Sequence, residues 1–149
     1  MKETEYKFLK IKNGKPFFGI VSLEITKCES ISEIIEEYNG KGFTSQGILE
    51  SVPKTGYETW KLAIKNGLNF GISKSNENWK IKIKNVIGRI GTDTNPTIIG
   101  YVSILAFCEQ TKLELNLDLK KEIDNFVFKS WENGNDEKIP NFTKLNYEK

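Results

Sequence analysis

The sequence GRIGTDTNP, residues 88–96, leads directly into the apolar block TIIGYVSILAFC, residues 97–108. Asn95 followed by Pro96 is typical of a helix start, because proline at the first helical position loses no intrahelical hydrogen bond. Proline also displaces the preceding residue from helical backbone angles, which suits Asn95 as the N-cap. Since the block that follows is apolar on nearly every side, we expect a buried helix from Pro96 to about Thr111.

Length and hydrophobic patterning bound the class of protein. At 149 residues the chain suits a single domain, which we expect at residues 1–132. Residues 133–149 form a polar C-terminal tail that is either loose or docked on the domain. The N-terminus carries no apolar signal segment, and no apolar run approaches the roughly 20 residues of a membrane-spanning helix. These features predict a cytoplasmic protein without a membrane partner.

Residue usage excludes several chemistries. The chain has no histidine, so Ser-His, Cys-His and His-metal sites are all excluded. Two cysteines, Cys28 and Cys108, are too few for a disulfide framework or a zinc site. No phosphate-binding loop of the GxxxxGK[ST] type occurs. We therefore expect no cofactor, no metal and no catalytic residue, and hence a protein that is not an enzyme; catalysis by lysine or carboxylate alone is the alternative.

The first third of the chain predicts strands and a loop. Residues 6–12 and 17–26 form a hairpin pattern around the turn Asn13-Gly14. Residues 30–38 fit either a helix or a third strand. Residues 39–47 form a glycine-bearing loop that is a candidate mobile element.

Two further helices follow from capping signals. Thr55-Gly56-Tyr57-Glu58 matches a capping box, and Asn66-Gly67 matches a helix end, so we expect a helix between them. Asp118 suits the N-cap of a last helix over residues 119–132. In the central helix, small residues recur every third position and predict close approach of another element, namely at Gly100, Ser103 and Ala106.

Residues 79–85 carry the clearest strand pattern. Apolar residues and lysines alternate there in the order Trp79, Lys80, Ile81, Lys82, Ile83, Lys84. This period predicts one buried and one solvated face. The lysines either contact phosphates or an acidic partner, or form a solvated face that discourages edge-to-edge aggregation. Together the elements predict an α+β two-layer sandwich, with a largely antiparallel sheet, helices on one face and these lysines on the other.

One stretch resembles a known family. Residues 93–107, DTNPTIIGYVSILAF, are similar to the start of the helix in domain IV of elongation factor G, where an Asp-Ser-Ser turn precedes an alanine-rich helix ending in Ala-Phe. A strand at residues 19–25, a glycine-bearing loop, Val52-Pro53 before a helix and a closing Gly67 occur in the same order there. The resemblance covers residues 17–110 and implies the ribosomal protein S5 domain 2-like fold. This chain lacks the histidine often found in that family's tip loop, and it has no GTPase domain, so the resemblance implies fold rather than translocation.

Two functions from different classes follow. The first is a non-catalytic protein-binding protein, most concretely a bacterial immunity protein that occludes a cognate toxin. The second, implied by the resemblance, is an RNA- or ribosome-binding module. The near-balanced charge of +2 and a single arginine do not favour a nucleic-acid reader. The candidate partner-binding residues lie in the glycine-bearing loop, on the lysine strand and in the turn after it: Lys41, Phe43, Lys80, Lys82, Lys84 and Arg89.

Overall fold

A computed structural model describes residues 2–148, which form an α+β fold with a mixed sheet and three α-helices. The main sheet contains β1 (Glu3–Lys12), β2 (Lys15–Cys28), β3 (Glu33–Glu36), β4 (Glu50–Ser51) and β5 (Asn78–Gly88). The helices are α1 (Glu58–Ser75), α2 (Pro96–Thr111) and α3 (Leu117–Phe128). A small second sheet joins β6 (Pro140–Asn141) and β7 (Asn146–Tyr147). Among residues 2–148, no helix is both long and apolar enough to cross a bilayer.

The main sheet is largely antiparallel, as expected, but one parallel pair makes it a mixed sheet. β1 and β2 form the expected antiparallel hairpin, turning at Asn13 and Gly14, which both adopt positive φ. β5 pairs antiparallel with β2, whereas β3 pairs parallel with β5 on its other side. The ambiguous segment at residues 30–38 is therefore a strand. The α+β class is confirmed, and the parallel pair is what the sequence pattern missed.

The helices cover one face of the sheet. The Cβ position of Gly19 on β2 faces Ile99 and Val102 of α2, and the ring of Phe17 lies 5.1 Å from that of Phe128. α2 occupies the predicted residues, and its Asn95 side chain accepts a hydrogen bond from the Ile98 amide at 2.9 Å. The prediction of a buried central helix is confirmed.

α1 differs from the prediction at both ends. It begins at Glu58 after Tyr57, which has φ 56°, and no side chain caps its start, so the capping box at Thr55 is wrong. It then continues through Gly67 and ends at Ser75, and the next residue, Asn76, is its C-cap with φ 57°. Gly67 lies inside this helix, and a glycine is required there because a Cβ would lie 2.3 Å from the Gly100 carbonyl oxygen. The glycine thus permits close helix packing, and it is not a C-cap.

The last helix and the C-terminal arm complete the core. α3 starts earlier and ends earlier than predicted, because Asn116 rather than Asp118 is its N-cap. Residues 134–148 are docked on the domain: the Phe142 ring is 2 % exposed and lies against Gly100 of α2. The Asn66 amide on α1 donates to the Pro140 carbonyl at 2.9 Å. The core therefore includes the C-terminal arm.

Candidate functional site

The six predicted partner-binding residues fall in three separate places. Lys80, Lys82 and Lys84 lie on β5 and alternate with Ile81 and Ile83, which are fully buried under the helices. The lysines consequently point to the opposite face of the sheet. Lys41 and Phe43 lie in the loop between β3 and β4, and Arg89 follows β5. The structure does not gather them into one surface.

Carboxylates interleave with the lysine face. Lys82 lies opposite Glu24 of the neighbouring strand β2, and Lys80 lies opposite Glu33 of β3. The Lys84 ammonium lies 2.6 Å from the Glu37 carboxylate. This hydrogen bond lowers the pKa of Glu37 and raises that of Lys84. The face is thus compensated in charge.

Arg89 holds a turn together. Its guanidinium pairs with the Asp93 carboxylate and donates to the Gly47 carbonyl at 3.4 Å. Its own carbonyl accepts the amides of residues 92–94. These contacts tie the loop before β4 to the turn after β5, so the side chain positions two loops.

Those two loops carry four exposed apolar side chains. Phe43 is 59 % exposed, Ile48 54 %, Leu49 48 % and Ile90 52 %. Phe43 and Ile90 line one shallow pocket of about 460 Å³, whose other walls come mainly from the start of α1. Ile48 and Leu49 follow Gly47, which contacts Arg89. We call these four residues the loop surface.

A buried carboxylate fixes the loop surface. Glu50 is 2 % exposed, directly follows Leu49 and pairs with Gly88. One carboxylate oxygen accepts from the Tyr57 hydroxyl, and the other accepts from the Ile90 amide at 2.8 Å. Burial raises the pKa of Tyr57, and Glu50 raises it further, so this hydroxyl remains a donor. Glu50 therefore joins β4, the start of α1 and the turn after β5.

A separate cleft of about 810 Å³ lies beside the carboxyl end of β3. Its walls are residues 36–40 and side chains from the start and first turns of α1, among them Lys61. β3 is parallel to β5 and connects to it through β4 and α1. Tyr38 and Lys61 are each only 6 % exposed. Among residues 2–148, no three potential metal-ligating side chains converge there or elsewhere.

Of the side chains that form the loop surface and the cleft, the sequence predicted only Phe43 as a binding residue. The apolar pair Ile48-Leu49 inside a polar, glycine-bearing loop was a usable signal, since such residues are unusual in a solvated loop. Glu50, Tyr38 and Lys61 carried none, because their roles depend on burial between segments distant in sequence.

Comparisons with known proteins inform the fold. No family model matches the chain, and no curated protein matches it. The chain is similar to a protein from Thermus thermophilus known from its crystal structure, with a TM-score of 0.54 and 17 % identity. The match covers 72 % of this chain and 15 % of that much longer one. At this identity, the similarity shows a shared fold alone.

Proposed function

We propose that this protein is a non-catalytic, protein-binding protein that docks its partner on the loop surface. The observation that carries the proposal is that Phe43 and Ile90, each about half exposed, line one apolar pocket, while Ile48 and Leu49 are similarly exposed in the same loop as Phe43. Grouped exposed apolar side chains are typical of an interaction site, whereas single exposed apolar residues are not. Phenylalanine is also among the residues enriched in the cores of protein interfaces.

The anchoring by Glu50 supports the same proposal. Because both carboxylate oxygens are hydrogen-bonded to neighbouring segments, the two loops are held together before any partner arrives. Preorganised side chains lose less conformational entropy on binding, so more of the burial energy appears as affinity. Within this class, an immunity protein that occludes a toxin is the narrower form of the proposal, located in the cytoplasm.

The fold likeness is compatible with a finer proposal, an S5 domain 2-like domain resembling elongation factor G domain IV, and hence with RNA or ribosome binding. The interleaved carboxylates on the lysine face support that alternative less, because phosphate binding requires uncompensated positive charge. The sequence's candidate surface at Lys80, Lys82 and Lys84 is accordingly secondary to the loop surface in our proposal.

A pull-down from the native host tests the proposal. Tagged wild type is compared with F43S and with L117S, which changes an equally exposed apolar residue at the start of α3. We expect one protein to be captured in stoichiometric amount by the wild type, and to remain bound after nuclease treatment. L117S should capture the same protein, whereas F43S should not. RNA or ribosomal proteins that disappear on nuclease treatment would contradict protein binding, and equal retention by F43S would contradict the choice of surface.

A further inference from the structure

The cleft beside β3 contains two buried donors. The Lys61 ammonium donates to the Lys54 carbonyl at 2.9 Å and lies 4.9 Å from the centre of the Tyr38 ring. Within residues 2–148, it makes no ion pair with a carboxylate. Lysine is rarely buried without a paired charge, since the charged form loses hydration. Lys61 thus has donor capacity that the described residues leave unused.

The Tyr38 hydroxyl is the second donor. It is buried, and no hydrogen-bond partner for it lies within residues 2–148. Burial raises the pKa of Tyr38, and the nearby Glu36 carboxylate and Glu58 raise it further, so the hydroxyl keeps its proton. Glu36 lies close enough to influence the hydroxyl but does not meet hydrogen-bond geometry with it. A buried hydroxyl without a partner destabilises the folded chain, because its lost hydration is not replaced by another hydrogen bond.

The carboxylates around the cleft are largely compensated. Glu36 lies 3.4 Å from Lys65, and Glu37 lies 2.6 Å from Lys84. Glu58, the third carboxylate of the lining, is at the exposed first turn of α1. Lys61 is therefore the buried lysine of the lining that no carboxylate neutralises.

We propose that this cleft binds a small molecule through an anionic group, a carboxylate or a phosphate, which accepts hydrogen bonds from Lys61 and Tyr38. The volume of about 810 Å³ lies within the range of small-molecule sites. The cleft and the loop surface are lined by different residues, so this site is independent of the proposed protein partner.

Amide NMR of the full chain tests the site with two probes, inorganic phosphate and acetate, each titrated at constant ionic strength against chloride. We expect saturable shifts at residues 36–40 and 54–65 with at least one of them, and the responding anion identifies the group. K61M and Y38F should weaken that binding by about tenfold or more, as loss of a hydrogen bond to a charged group does. K74M is the matched control, because Lys74 lies near the other end of α1, and it should bind as wild type does.

Two results would overturn the proposal. One is the absence of saturable shifts with both anions, or shifts that persist unchanged in K61M and Y38F. The other comes from thermal unfolding. Removing a hydroxyl that has no partner should leave Y38F at least as stable as wild type, so a marked loss of stability would mean that Tyr38 has an internal partner.

Discussion

At the scale of single residues, Gly67 decides how closely α1 and α2 pack. A Cβ at this position would lie 2.3 Å from the Gly100 carbonyl oxygen, and backbone cannot move aside as a flexible side chain would. Gly100 in turn faces the Ala63 carbonyl and the Phe142 ring. The glycine pair thus lets the two helices and the C-terminal arm meet.

G67A separates packing from helix propensity. Alanine favours a helix over glycine by about 1 kcal/mol, but forcing the two helices apart costs about 1–3 kcal/mol. We expect G67A to lower the free energy of unfolding in urea, while N69A, at an exposed position on the same helix, should leave it nearly unchanged or slightly higher. A G67A protein at least as stable as wild type would show that the helices do not pack as described.

Glu50 is the second decisive residue. In E50Q the amide oxygen still accepts one hydrogen bond. The NH₂ group either faces the Ile90 amide, which is a donor, or donates to the Tyr57 hydroxyl, which must then turn its own hydrogen away. In both orientations the stronger hydrogen bonding to a charged carboxylate is lost. We expect E50Q to lose about 1–3 kcal/mol of unfolding free energy and the Ile90 amide to exchange faster with deuterium. E58Q, on the exposed first turn of α1, is the control and should change neither. Unchanged exchange at Ile90 in E50Q would contradict the anchoring role.

At the scale of elements, the pair Lys84–Glu37 joins β5 to the chain after β3. The hydrogen bond from Lys84 lowers the pKa of Glu37 below its ordinary value of 4.5. Its contribution to stability is therefore present above pH 4.5 and is lost as the pH falls through the lowered value. The same pair raises the pKa of Lys84 above 10.5, so the contribution also disappears as the pH rises through that raised value.

E37Q tests this dependence. The difference in melting temperature between wild type and E37Q should be small and constant near neutral pH, because the pair is largely exposed. The difference in melting temperature should disappear in acid below pH 4.5 and again in strong base. E132Q changes a carboxylate outside the ion pairs of residues 2–148 and should show no such profile. A difference that persists in acid would indicate that Glu37 acts through packing rather than charge.

The predictable elements are those with local signals. α2 was predictable because Asn95 and Pro96 together indicate where the helix begins. The β1–β2 hairpin was predictable because Asn13-Gly14 is typical of a tight turn. β3 was ambiguous because its identity depends on parallel pairing with β5, more than 40 residues away. The predicted end of α1 was wrong because Asn66-Gly67 has the composition of a helix end. The glycine is there for close packing against Gly100, a contact that the local sequence does not show.

At the scale of the whole molecule, the loop surface and the lysine face of β5 lie in different regions. Phe43 was predicted as a partner-binding residue and lies on the loop surface, whereas the predicted lysines lie on a charge-compensated face. Ile90 could not be assigned from sequence, because it is held near Phe43 by the Glu50 carboxylate, and Glu50 and Ile90 are 40 residues apart in the chain. The candidate surface is a product of the fold.

Site-specific photocrosslinking in the native host tests this surface most directly. A photoreactive phenylalanine analogue replaces Phe43 or Ile90, with Leu117 on α3 as the equally exposed control position. We expect one and the same protein to be crosslinked from positions 43 and 90, and not from position 117. No adduct from either loop position, or the same adducts from all three, would contradict the claim that this protein docks a partner through its loop surface.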